Sequence, residues 1–270
     1  MKILLSLIVL LFLPSSFLFA SELKEERAQK FLHDSGLSEL IGSLPQALEQ
    51  QLNLPRLIAV NTIQQDAAQQ ALNVALSQVD GQQLALTYLT SKPIAQRLTG
   101  TVNFLASPLG QKISIQERAA ATPDAQLEMQ AYAMQMATNP PTSLRTKLIQ
   151  DLTVAQNADQ VILTLMKGTF YSVLEITQLI NPELAKELTV DMDTAWSKMK
   201  PVLSEQFAQF MVMGAQYSYR NISDKEIKAY IQFLNTPSGK AYWQTGLDII
   251  DLYLKRFVSA FVQELSNKQP

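Results

Sequence analysis

Any chemistry this chain performs must be built from few side-chain types. It has one histidine and no cysteine among 270 residues. His33 is followed by Asp34 and Ser35, the three residue types of a nucleophilic triad. A working triad brings such groups together from separate elements, so neighbours in sequence do not form one locally. The expectation is a surface histidine near a helix C-terminus, where its charged form meets the helix dipole favourably. Carboxylates are paired at Asp191/Asp193 and at Asp248/Asp251. Glycosidic cleavage needs two carboxyl groups facing one sugar. Asp248 and Asp251, three apart on a helix, share a face and are the candidate pair for a hydrolase of the cell envelope. Asp191 and Asp193 suit the N-terminus of a helix instead. Met129/Met136 and Met192/Met199 are each seven apart, the spacing of a helical core as much as of a soft metal site. Ser21 and Lys24 form an S-x-x-K string with none of its partner motifs. The glycines show neither phosphate-loop nor dinucleotide spacing. No catalytic residue, metal or cofactor is assigned, and a non-enzymatic protein is expected.

A binding surface is the other possibility. Tyr217, Tyr219, Tyr230, Phe233, Tyr242 and Trp243 gather near one another in sequence, with Arg220, Lys225 and Lys240 among them. Such a set is either a core whose hydroxyls reach its rim, or a groove for a peptide or an apolar ligand with a polar edge. The candidate groove residues are Tyr217, Tyr219, Tyr230, Tyr242 and Trp243.

The elements that would position these groups read as helix almost throughout. Ala, Leu and Gln dominate and Gly is scarce, a helix-forming balance. The first twenty residues, MKILLSLIVLLFLPSSFLFA, have the charged start, apolar run and small final residue of a secretory signal, with cleavage expected near Ala20–Ser21. Apolar residues from Leu57 to Val79 fall close to helical spacing, with Pro55 at a first helical position. A long helix is expected from Met192 to Ser218. Gly36 is expected to cap the first mature helix. Thr122-Pro123 reads as a start, Ile180–Glu183 as a turn, and Asn139–Ser143, with its two prolines, as the strongest break.

That break divides an N-terminal unit (21–138) from a C-terminal one (142–270). Residues 21–130 hold three aromatics and residues 131–270 hold fifteen, so the second unit should carry the heavier core. With Lys2 removed, 21 basic residues face 24 acidic ones, and no basic stripe marks a nucleic-acid partner. Nothing after the signal approaches a membrane span.

The best local signal is I-S-D-K-E-I at 222–227. Ser223 and Glu226 make a capping box, and Ile222 and Ile227 flank it as a hydrophobic staple. The helix then meets F-L-N-T-P-S-G. Asn235 is expected to close it in the left-handed conformation, Thr236 to cap the next helix, Pro237 to open it, and Gly239 to avoid a clash with the helix before. Phe233, Thr236, Pro237 and Gly239 thus form a corner. Phe104, Ser107, Pro108 and Gly110 repeat it in F-L-A-S-P-L-G, and Tyr88–Pro93 is a degenerate relative. The recurrence points to two related helical units.

An exported helical chain with S-D-K-E-I followed by F-L-N-T-P-S-G-K-A-Y-W resembles the bacterial domain-of-unknown-function family 2059 (DUF2059), over roughly residues 191–260. The resemblance implies an all-helical exported domain with no assigned activity and no catalytic residues to carry over. The expectation is therefore an all-α, multi-helix array without β-sheet, placed in the periplasm of a Gram-negative bacterium. It would act as a binding or interaction module for a protein, peptide or apolar ligand of the envelope. The alternatives are the carboxylate-dependent hydrolase and a homo-oligomeric structural protein built through the Ala- and Gln-rich helices.

Overall fold

A computed structural model describes residues 24–51, 62–157, 192–267 and isolated positions between 163 and 186. Among the described residues the protein is helical with no strand. Helix α1 (Glu25–Asp34) opens on two acidic residues and buries Ala28, Phe31 and Leu32. Gly36 turns the chain at φ 71°, a conformation open to glycine, into α2 (Leu37–Gln51). Helix α3 spans Thr62–Gln78. The expected helical positions Pro55, Leu57 and Ile58 before it, and positions 180–182 of the expected turn, lie outside the described residues, while Glu183 is helical. Asp80 caps α4 (Gly81–Thr90) by accepting from the Gln83 amide. The short helices α5 (Lys92–Arg97) and α6 (Thr99–Leu105) follow.

Helix α7 is Pro108–Ala120 and α8 is Pro123–Thr138. Thr122 precedes α8 in extended backbone, but its hydroxyl donates to Ala119 O rather than capping an amide. After the double proline, α9 (Ser143–Ala155) is capped by Thr142. Helix α10 occupies Met192–Ser218, the span read from its apolar spacing. Helix α11 (Asp224–Leu234) begins at Ser223, where both bonds of the capping box form. Helix α12 runs from Pro237 to Ser266.

The two proline–glycine strings form the same corner. Ser107 and Thr236 each accept from the glycine amide three residues on, at 3.1 Å, and each hydroxyl donates to the preceding Phe carbonyl at 2.6 Å. A Cβ on Gly110 would lie 2.0 Å from Phe104 O, and one on Gly239 would lie 2.3 Å from Phe233 O. Only glycine lets the first turn of the new helix come so close to the end of the old one. Asn235 corrects the left-handed expectation. It is right-handed (φ −80°, ψ −6°), because the bend is made by the extended Thr236 (ψ 163°) after Thr236 N–H closes onto Phe233 O. In Tyr88–Pro93 the Ser91 hydroxyl also donates to the aromatic carbonyl, but it accepts from no amide.

The corners pack on each other. Phe104 and Phe233 stack at 3.7 Å with rings 5° from parallel, Tyr230 stacks on Phe104 at 5.6 Å, and Thr101 donates to Ser238 O at 2.7 Å. Through them one buried cluster joins Phe31, Leu89 and Leu105 to Ile227, Tyr230 and Tyr242, so the cluster runs across the double-proline break. A second cluster forms farther along α12, where Phe257 and Phe261 lie against the fully buried Ala68, Ala71 and Ala75 of α3. Small residues on α3 let it approach large rings on α12 closely. Burying each ring is worth about 1.5–3 kcal/mol.

Arg145 on α9 ties down the turn between α10 and α11. Its guanidinium donates to Ile222 O (2.8 Å), Asp224 Oδ1 (2.9 Å) and Tyr219 O (2.5 Å). Arg145→Ala leaves these acceptors without their donor and should lower unfolding free energy by about 1–3 kcal/mol. Urea denaturation checks this. An unchanged midpoint would show that water replaces the guanidinium at no cost.

Candidate ligand cavity

The triad types at the end of α1 do not converge. Lys30 (2.6 Å) and Gln111 (3.0 Å) donate to Asp34, and Ser35 Oγ donates to Leu32 O. Burial pushes the Asp34 carboxyl up, but the hydrogen bonds from Lys30, Gln111 and His33 hold it below its usual range. His33 is largely exposed, and Arg118 approaches its Nδ1 at 2.5 Å.

Asp248 and Asp251 do not share a site. Asp248 accepts from Tyr88 (2.5 Å), Gln244 (2.7 Å) and Arg97 (3.3 Å), whereas Asp251 pairs with Lys255 at 2.7 Å. Burial and the Asp248 carboxylate push the Tyr88 phenol up to about 12. Met129 borders the cavity described below, Met136 is half-buried on α8, Asp193 falls in the first turn of α10, and Asp191 lies outside the described residues. Among the described residues no group of three or more His, Asp or Glu side chains is placed to hold a metal ion, and no helix is long and apolar enough to cross a membrane.

The aromatic set lies in a different setting. Tyr219 and Tyr230 both donate to one oxygen of the carboxyl of the half-buried Glu117, Oε1, the second at 3.1 Å. Gln156 donates to Tyr219 Oη at 2.6 Å and completes the chain. Burial pushes Glu117 above the carboxylate range, and the two phenols oppose that only in part. The phenols of Tyr219, Tyr230 and Tyr242 are pushed well up by burial first, then by the nearby carboxyl. The carboxyl is held among tyrosines, and its burial favours keeping the proton to higher pH than in an exposed glutamate.

A cavity of about 470 Å³ opens beside it. Glu117 borders the cavity, and the described side chains give its Oε2 no hydrogen bond. The turn at Gly36, the end of α7, one face of α10 and the first half of α12 form the walls. Leu37, Leu40, Phe210, Met211, Leu247 and Ile250 make them chiefly apolar. Of the groove residues, Tyr217, Tyr219, Tyr242 and Trp243 line this space. Tyr230 is 1% exposed and stands behind Glu117 rather than in the wall. Tyr242 donates to Ser35 O at 3.1 Å and meets Phe31 edge-on.

The basic residues expected at a rim are dispersed. Arg220 covers the Tyr217 ring at 3.8 Å, Lys225 is exposed on α11, and Lys240 borders another depression. That depression, about 660 Å³, lies across Trp243 and Leu247 from the first; Asp151, Asn235 and Gln244 give it polar walls, and no buried carboxyl borders it. The smaller space is therefore the better candidate for ligand chemistry.

Sequence reasoning passed over Glu117. A signal was present: Gly110, Ile113 and Ser114 are buried on α7, and position 117 extends that stripe by one turn. A carboxylate on an apolar stripe marks a buried acid or a site.

Glu117 also gives a pH prediction. Its folded pKa is raised above its unfolded value near 4.5. The contribution to stability is complete below that value and is lost as pH rises through the folded pKa. Stability of the native protein should fall over this window, while Glu117→Gln removes this component. Unfolding free energies of both proteins against pH test it, and parallel curves would refute it.

These features define an all-α multi-helix protein with a half-open, chiefly apolar cavity and the Glu117 carboxyl at its wall. In comparisons with family models, curated proteins and solved structures, nothing matches this chain.

Proposed function

We propose that this protein is an exported, non-enzymatic binding module of the cell envelope, akin to the DUF2059 family and built from two related helical units, and that it holds an apolar small molecule in the cavity beside Glu117. The observation that carries the reading is the cavity itself: about 470 Å³ of chiefly apolar space, bounded by the helices around Gly36, Glu117, Gly214 and Trp243. Its volume lies in the range of about 300–1,000 Å³ common to small-molecule sites. Export, read from the N-terminal residues, would place it where envelope lipids and their fragments occur. Asp248 and Asp251, each engaged elsewhere, lend no support to hydrolysis.

The test is direct. The purified protein is extracted with organic solvent for mass spectrometry, and the stripped protein is titrated with an alkyl-chain fluorophore. A co-purified apolar compound, or saturable one-to-one fluorophore binding with a rise in melting temperature, is the expected result. Absence of both a co-purified apolar compound and saturable fluorophore binding would overturn the reading.

A further inference from the structure

Resting on the cavity reading, a more specific inference concerns the chemistry of the ligand. We propose that the cavity selects an uncharged acyl compound, such as an ester, and that Glu117 Oε2 donates a hydrogen bond to its carbonyl oxygen.

The geometry is asymmetric. Both phenols, Tyr219 and Tyr230, donate to Oε1, which makes Oε1 the acceptor end of the carboxyl group. Oε2 has no hydrogen bond from the described side chains, and Glu117 borders the cavity. A carboxylic acid whose carbonyl oxygen is doubly satisfied presents its remaining O–H as a donor. The fitting ligand atom is an acceptor.

Charge around the carboxyl supports a neutral partner. Facing it are Tyr219 just after α10, Tyr230 from α11, Tyr242 from α12 and the amide of Gln156 after α9, all uncharged. Arg118, next on α7, is drawn off to His33, donating to its carbonyl as well as meeting its ring. Glu39 borders the same cavity from α2. No described cation therefore bonds the carboxyl, whose burial favours the protonated form. Arg118 also borders the cavity, but its Nη1 is engaged by His33, so an anionic fatty acid would have to draw the guanidinium from those contacts to gain a counter-ion. An alkyl amine would require Glu117 to ionise where ionisation is costly. An ester carbonyl needs neither.

The experiment compares methyl decanoate, decanoate and decylamine as probes, below their aggregation limits, on the full chain stripped of ligand. Calorimetry or fluorophore displacement reads the affinities. Methyl decanoate should bind best on the acid side of the Glu117 titration. Its affinity for the native protein should fall as Glu117 loses its proton. Glu117→Gln keeps a donor and an acceptor of the same shape, so it should bind the ester within about twofold and without that pH dependence. Glu117→Leu removes the donor and should weaken ester binding about tenfold, the scale of one hydrogen bond.

Amine binding that exceeds ester binding and strengthens with pH would overturn the proposal, because Glu117 would then act as an anion. Ester binding unchanged in Glu117→Leu would overturn it too, while continued loss of binding in a cavity-filled variant such as Gly214→Phe would keep the cavity reading. If no probe binds and Gly214→Phe changes nothing, the cavity reading falls with it.

Discussion

Gly239→Ala should destabilise the protein by about 3 kcal/mol or more, a melting-temperature drop of about 6–12 °C for a chain of this size. The new methyl would sit 2.3 Å from Phe233 O and 2.5 Å from Leu234 Cα. Both are backbone atoms, so no side chain can rotate away. Relief requires opening the corner between α11 and α12. That opening would disturb the Phe104–Phe233 stack and the Thr101–Ser238 hydrogen bond, which couple it to the corner before α7. Gly110→Ala meets Phe104 O at 2.0 Å and should cost a similar amount. The control is Gly214→Ala. A Cβ there meets nothing within 4 Å, and alanine favours helix, so stability should stay level or rise by about 0.5–1 kcal/mol. Urea and thermal denaturation of the three variants decide the matter. Equal midpoints for Gly239→Ala and Gly214→Ala would refute the close-approach account.

Gly214→Phe should abolish binding of an alkyl probe while leaving the protein folded. Gly214 lies on α10 in the cavity wall, and its open Cβ direction gives an added ring room to grow. The ring would occupy space a ligand needs and would bring apolar surface against Phe210, Met211 and Leu247, so stability should hold or rise. Loss of affinity should exceed tenfold, since a filled site removes contacts rather than weakening one. Probe titration and denaturation are measured on the same sample. Full binding by a folded Gly214→Phe protein would place the ligand elsewhere.

Local chemistry made much of the architecture legible. Proline at a first helical position and serine or threonine before it specify a helix start within four residues, so both corners could be read before any coordinates. The capping box at Ser223 and Glu226 is likewise a contact across three residues, and both its bonds form. The Met192–Ser218 helix follows from apolar spacing along one rod. Asn235 shows where such reading stops. Its residue type permits a left-handed end, but the bend is made one residue later by Thr236, so the permission goes unused.

What the sequence determined by itself is the helical class, the positions of the corners and the two glycines that make them, because each depends on backbone preferences and neighbours within a turn. What only the tertiary structure decided is the site. Glu117 meets Tyr219 and Tyr230 across 102 and 113 residues, and Phe104 meets Phe233 across a double-proline break. A tyrosine on a helix face carries no mark of which distant carboxyl its hydroxyl will reach. That pairing is set by how whole helices cross, through the summed burial of many apolar contacts, and the state of the Glu117 proton follows from that burial.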